Sequence, residues 1–278
     1  MRIAVKVAVL GGSGKTGRAV SAALAQAGVA TRPLGRAAFG DLPAALAGAD
    51  AVHVIAPNLH PDEPGYVTAV LAAAHQVGVG RIVYHSVASP YVPAMPHHVG
   101  KAEAEDLVRR SGLEWTILQP CAYVQNFVPA LVAGAESAAG SGGAARLDVP
   151  YAVHTPFGLV DLHDVAAATA VVLTRPGHVG ATYELGGPAL VSVADVAVAA
   201  ATVLGHEVLA RRIDPDDWDE SATGLDERER VWLRAMFAYY DDHGLPTGGV
   251  PLGALLGRAP AGLGEVLSRE LAGRSCQG

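Results

Sequence analysis

The strongest constraint in this 278-residue chain is an apolar run at residues 5–10 that ends in Gly11-Gly12-Ser13-Gly14-Lys15-Thr16-Gly17 and continues into a helical apolar pattern at 16–27. A short apolar run, a glycine turn and a helix in that order predict a buried strand bending sharply into a helix, as at the start of a parallel α/β sheet. The spacing gives each glycine a task. Gly11 permits the turn, Gly14 lets the backbone approach a pyrophosphate, and Gly17 lets the helix pack close to the sheet. The free N–H groups and the dipole at the helix start favour an anion. Gly11, Ser13, Gly14, Lys15, Thr16 and Gly17 are therefore expected to hold a dinucleotide. A P-loop is excluded: Gly14-Lys15-Thr16 resembles its end, but Val9 stands where its first glycine is required.

Apolar strand patterns at 29–34, 51–55, 81–85, 115–118 and 182–185 alternate with helical patterns at 66–77, 99–111, 164–173, 193–204 and 228–242. This alternation predicts an α/β fold with a Rossmann-type, doubly wound parallel sheet. Residues 1–150 are read as the dinucleotide-binding domain. Residues 151–278 are read as the remaining sheet elements plus a smaller, mostly helical substrate lobe. The Gly/Ala/Ser-rich stretch 138–145 reads as a mobile loop, and residues 273–278 as a frayed end. Trp218, Trp232, Phe237, Tyr239 and Tyr240 are expected to build an apolar substrate pocket with the loop after Tyr123, and also part of the lobe's core.

The cofactor is chosen at the end of the second strand. NAD-specific sites place a carboxylate there, on the ribose 2′-hydroxyl. Residues 31–36 contain no acid, and Arg36 suits a 2′-phosphate. NADP(H) is the expected cofactor, with NAD(H) left open. Pro57 and Asn58 close the next strand at the carboxyl edge of the sheet, where ligands bind in such folds.

A net charge of −7 gives no footprint for nucleic acid. Cys121 and Cys276 form no disulfide framework, and there is no signal-peptide pattern or uninterrupted spanning stretch. A cytoplasmic protein with no membrane partner is expected. Neither a His-Glu-x-x-His nor a Cys-x-x-Cys motif occurs, so no metal is expected.

Several segments together resemble the NmrA-like branch of the atypical short-chain dehydrogenases/reductases, which includes NAD(P)H:quinone reductases and nucleotide-sensing regulators. They are the turn at 11–18, Arg81-Ile82-Val83-Tyr84-His85-Ser86, Lys101-Ala102-Glu103-Ala104-Glu105, residues 111–120 ending in Gln119-Pro120, Asn126, Val160-Asp161, residues 163–166, Tyr183-Glu184-Leu185 and residues 256–260. The resemblance implies an oxidoreductase that passes hydride from NADP(H) to a carbonyl or quinone of a hydrophobic or aromatic small molecule. It also implies that Lys101 holds the nicotinamide ribose, with Pro120 and Tyr123 beside the nicotinamide. Lysine occurs at only three positions, Lys6, Lys15 and Lys101.

Three departures from the family pattern stand out. Almost nothing lies between Arg36 and Asp41, so the sheet is expected to lack an edge strand. The superfamily's Tyr-x-x-x-Lys appears as His97-His98-Val99-Gly100-Lys101, with His97 in place of the acidic tyrosine. Gln119 stands where an arginine is frequent. His97 reads either as a substitute proton donor or as an ordinary loop histidine. Ser86 reads either as a hydroxyl polarising a substrate carbonyl or as a loop starter. A non-catalytic nucleotide sensor and a redox-neutral enzyme that retains its cofactor remain alternatives, and a homodimer is left open.

Overall fold

The computed structural model describes residues 5–141, 143–221 and 223–272; the expected frayed end at 273–278, with Cys276, lies outside them. The chain forms two compact units. The first comprises the residues up to Pro120, Leu162–Leu185 and Pro251–Arg258. The second comprises Cys121–Asp161, Gly186–Val250 and the chain from Ala259. The units interleave in sequence, so they do not divide at a single cut near residue 150.

In chain order the strands are β1 (Lys6–Leu10), β2 (Ala30–Leu34), β3 (Ala51–Val54), β4 (Arg81–His85), β5 (Glu114–Pro120), β6 (Ala145–Val149), β7 (Ala181–Leu185) and β8 (Val208–Arg212). The helices are α1 (Lys15–Gln26), α2 (Leu42–Leu46), α3 (Glu63–Val77), α4 (Pro96–Arg109), α5 (Val128–Ser141), α6 (Leu162–Thr174), α7 (Val193–Leu204), α8 (Pro215–Ser221), α9 (Glu227–His243), α10 (Val250–Leu256) and α11 (Leu263–Ala272).

The first unit holds an all-parallel six-stranded sheet in the order β2-β1-β3-β4-β5-β7. From β1 the chain steps one way to β2 and then crosses back to β3 on the other side. That is the topological switch point of a doubly wound sheet. As expected, among the described residues no strand lies beyond β2. The segment from Arg36 to Leu46 is spent on a 3₁₀ turn (Arg36–Gly40) and on α2, whose start is capped by Asp41. Pro33 lies in β2, where an edge strand tolerates the missing N–H.

Strand alternation divides the apolar residues between two faces. Ala8, Leu10, Val52, Val54, Ile82, Tyr84 and Ile117 pack with buried residues of α2, α3 and α4 in one core. The opposite face carries His53 and His85, with α1 and α6 packed against one another. Two buried histidines inside a sheet are unusual, and their rings meet edge-on at 5.6 Å.

In the second unit β6 pairs with β8 in a small parallel sheet. Of the stretch expected to be a loop at 138–145, the residues up to Ser141 end α5 and Ala145 begins β6, while 143–144 lie in no regular element. Small residues serve packing there. A Cβ on Gly134 would come within 2.5 Å of the Arg146 carbonyl, so the glycine lets α5 lie directly on β6. The aromatic segment takes the core part of its expected role. Phe237 and Tyr240 are buried against Tyr151 and Phe157, with Trp218 edge-on to Phe237, so these rings form the unit's own core. Trp232 packs under Arg228, and Tyr239 tilts against His243. Among the described residues no helix is long and apolar enough to cross a membrane.

Burial pushes His53 down to about 3 and His85 well below the usual 6.5. Both are neutral in the folded protein at pH 7, whereas the unfolded chain takes up these protons below about 6.5. Their stabilising contribution is therefore complete above the unfolded value and is lost as pH falls toward the folded one. Between pH 7 and pH 5 His53 alone should cost about 2 kcal/mol. Urea unfolding at the two values, repeated on His53→Leu, should show the wild type losing stability more steeply than the variant. Equal slopes would contradict this origin.

Candidate functional site

Because every strand of the large sheet runs the same way, all its carboxyl ends open on one edge. The turn at 11–17, the loop after β3 and the ends of β4 and β5 therefore lie together there.

Packing dictates three of the turn's glycines. Gly11 has φ +77°, and a Cβ on it would come 2.5 Å from the Ile55 carbonyl across the switch point. A Cβ on Gly12 would meet Pro33 at 2.7 Å, and one on Gly17 would meet the Gly11 carbonyl at 2.2 Å. Gly14 differs. Its φ is −74°, and a Cβ would meet only the Gly11 carbonyl, at 3.3 Å. The fold alone does not demand glycine at this position.

Gly14 is the N-cap of α1 and offers no side chain to its amides. The first helical bond runs from the Arg18 N–H to the Gly14 carbonyl at 3.0 Å, and the first turn contains no acid. The Gly14 N–H bonds back to the Gly11 carbonyl at 3.0 Å, and the amides of Thr16 and Gly17 lie ahead of the first helical bond. Ser13, Gly14 and Lys15 are exposed, and the Arg18 guanidinium closes on the Ser13 carbonyl. This is an anion cradle, and its chemistry fits a dinucleotide pyrophosphate. Arg36 begins the 3₁₀ turn after β2, exposed, with no side-chain partner among the described residues. Arg32 is committed to the Ala47 carbonyl at 3.0 Å. The nearby acid Asp41 is occupied in capping α2.

Two buried carboxylates organise the rest of the edge. Glu63, the first residue of α3, accepts from Lys101 Nζ at 2.8 Å and from the Tyr84 hydroxyl at 2.5 Å, both on Oε1. Burial, and then the adjacent carboxylate, raise the Tyr84 phenol well above its ordinary value, so it serves as a donor. One helical turn beyond Lys101 on α4, Glu105 Oε1 accepts from Ser86 Oγ at 2.5 Å and from Gln119 Nε2 at 2.7 Å. Its Oε2 takes Arg109 at 3.0 Å, and Arg109 also reaches Thr182 Oγ1 at 3.0 Å.

Several expectations change at this point. Lys101 is held in an ion pair inside α4, in its second turn, because the helix begins at Pro96 and not at Val99. Glu105, which pattern alone would leave on the wet side of α4, is buried: Lys101, Ala104, Glu105 and Val108 share the inner face. Ser86 directs its single hydroxyl proton at Glu105. Toward a ligand it therefore presents lone pairs and does not supply the donor expected for a substrate carbonyl.

His97 is buried in the first turn of α4, its ring 6.0 Å from that of His98. His98, close to the Ser89 carbonyl, is pushed down to about 4 by burial. Pro57 and Asn58 are exposed after β3, and Pro120 ends β5 with its carbonyl taken by Ala88 N–H at 2.9 Å. Tyr123 is half-buried and belongs to the second unit, where it bridges to Val160. No three His, Cys, Asp or Glu side chains among the described residues are grouped to hold a metal ion.

Residues 39–252 match the NmrA-like family. The chain is 31% identical over 191 residues to an NAD(P)H azoreductase of Xenophilus azovorans, a match covering 66% of this chain but 62% of that enzyme. It is also 31% identical over 230 residues to the (4-alkanoyl-5-oxo-2,5-dihydrofuran-3-yl)methyl phosphate reductase of Streptomyces griseus, covering 76% of this chain and 78% of the relative. The structure resembles an NADPH-dependent quinone oxidoreductase of Escherichia coli solved with NADPH. The TM-score is 0.79 at 22% identity, covering 95% of this chain and 99% of that one. The family match begins after the glycine turn, so the case for the cradle rests on its own geometry.

The Glu105 hub gives a stability prediction. Glu105→Ala leaves Gln119 and Ser86 without their buried acceptor and should lower the unfolding free energy by roughly 1–3 kcal/mol. Glu105→Gln, which keeps an acceptor, should lose less. Denaturant titration of both variants checks the order, and equal losses would remove the hub role.

Proposed function

The chain belongs to the NmrA-like family, and from that premise we propose that it is an NADPH-dependent oxidoreductase acting on quinones, azo compounds or activated carbonyls of flat, hydrophobic molecules. The observation that carries this reading is the acid-free amide cradle at residues 11–17, followed by the unpaired Arg36. When bound, NADPH supplies the hydride. The cradle holds the pyrophosphate, and Arg36 takes the 2′-phosphate in a charge-assisted pair. Pro57, Asn58 and Pro120 border the cofactor, Lys101 holds the nicotinamide ribose, and Ser86 accepts a hydrogen bond from the bound ligands.

The substitution of His97 for tyrosine supports the choice of substrate. Hydride addition to a simple ketone leaves a strongly basic alkoxide that needs an acid at hand. Addition to a quinone leaves a weakly basic phenolate-like anion. A site without the tyrosine therefore suits acceptors whose products need little protonation in the rate-limiting step, with His97 as the available relay. The relative named as a reductase of an acyl-substituted unsaturated lactone supports the same class, since conjugate hydride addition there leaves a stabilised enolate, and the azoreductase supports flat aromatic acceptors. The missing tyrosine also supports the second reading, a nucleotide sensor without turnover. Cytoplasmic placement, where NADPH is supplied, is part of the proposal, and the buried Cys121 thiol is compatible with it.

NADPH oxidation followed at its absorbance band should be fast with quinones or azo dyes and slow with plain ketones. No consumption with any acceptor would sink the enzyme reading. Arg36→Ala should weaken NADPH binding about tenfold, the weight of one charge-assisted pair, and leave NADH unchanged. A variant that binds both cofactors as the wild type does would remove Arg36 from the site.

A further inference from the structure

We propose that Glu63 is a positioning residue for the cofactor, holding Lys101 ready for the nicotinamide half of the dinucleotide; this rests on the reading of Lys101 as the ribose ligand. Helix capping does not account for Glu63. Asp62 caps α3 through the Gly65 N–H at 2.8 Å, while Glu63 turns inward and is 2% exposed.

Its carboxylate is bonded asymmetrically. Lys101 and Tyr84 both donate to Oε1, and the buried Oε2 has no hydrogen-bond partner among the described residues. A buried acceptor left bare is unfavourable, and a buried ion pair is a poor source of stability compared with apolar side chains of similar size. The arrangement is therefore costly to the fold, and its benefit lies in what it orders. Lys101 has a flexible four-carbon stem. One ammonium N–H is fixed on Glu63, and the Tyr84 ring lies 6.0 Å from Nζ. The stem is thereby ordered before a ligand arrives, which removes part of the entropic cost of binding. Glu63 also follows directly from the loop that carries Pro57 and Asn58, so the ion pair ties that loop to α4. Because Glu63 is buried, it acts through Lys101 and touches no ligand.

The test uses two ligands and two kinds of variant. NADPH and 2′-phosphoadenosine 5′-diphosphate, which lacks the nicotinamide riboside, are titrated by calorimetry into wild type, Glu63→Gln, Tyr84→Phe and Lys101→Met. Glu63→Gln is expected to weaken NADPH about tenfold and the fragment less than twofold, with Tyr84→Phe in the same direction and smaller. The triple variant Glu63→Leu/Tyr84→Phe/Lys101→Met, which leaves no member of the cluster without its partner, is expected to melt no lower than wild type while showing the selective loss of Lys101→Met. Equal weakening of both ligands in Glu63→Gln, or a lower melting temperature in the triple variant, would make the cluster a structural prop and overturn the proposal. Lys101→Met losing NADPH selectively while Glu63→Gln binds as wild type would overturn Glu63 alone. Lys101→Met binding NADPH as tightly as wild type would overturn the Lys101 reading and this proposal with it.

Discussion

The approach of bare backbone to bare backbone at the switch point governs this structure. The Gly11 backbone lies against the Ile55 carbonyl, and α1 starts so close to β1 that Gly17 sits on the Gly11 carbonyl. No side chain fits in those gaps. The consequence is electrostatic: the positive end of α1 is left uncapped at the edge where all six strands of the sheet end. The surrounding loops can then be read by how they serve an anion held at that point.

The second organising feature is the pair of buried carboxylates. Glu63 and Glu105 sit on neighbouring helices, and each gathers donors from elements distant in sequence. Together they decide what Lys101 and Ser86 have to offer. Lys101 is an ordered cation, and Ser86 is an acceptor whose proton is already in use. This is a different division of labour from one in which a tyrosine and a lysine act together, and the proposed choice of acceptors that become weak bases after reduction accords with it.

Much of the first unit was legible in the chain because its signals are local. β4 at Arg81–His85 has the bounds its apolar pattern predicts, as α7 at Val193–Leu204 does in the second unit, and the absence of a described strand beyond β2 follows from the short segment after Arg36. The failures are of another kind. β6 and β8 pair across a long separation, and the small residues ahead of β6 look like a loop unless the strand beneath α5 is known. Glu105 looked solvated because its partners Ser86 and Gln119 come from other elements. Glu63 lies ahead of the helical pattern at 66–77, and nothing local marks it as buried because its partner Lys101 is 38 residues away. The aromatic segment suggested a pocket, but the rings have one another as partners. Pattern reports which residues are apolar, whereas partnership across the fold decides which polar ones are buried.

The central claim is that the amides at the start of α1 hold a dinucleotide pyrophosphate. Gly14 isolates it, since a methyl group there meets only one carbonyl at 3.3 Å within the protein but would stand in the path of the phosphates. Calorimetric titration of NADPH into wild type and Gly14→Ala, with melting temperatures measured alongside, is the most direct test. The account predicts saturable binding to wild type and at least a tenfold loss in a variant that melts at nearly the same temperature. Undiminished binding by Gly14→Ala, or no heat with wild type, would contradict it.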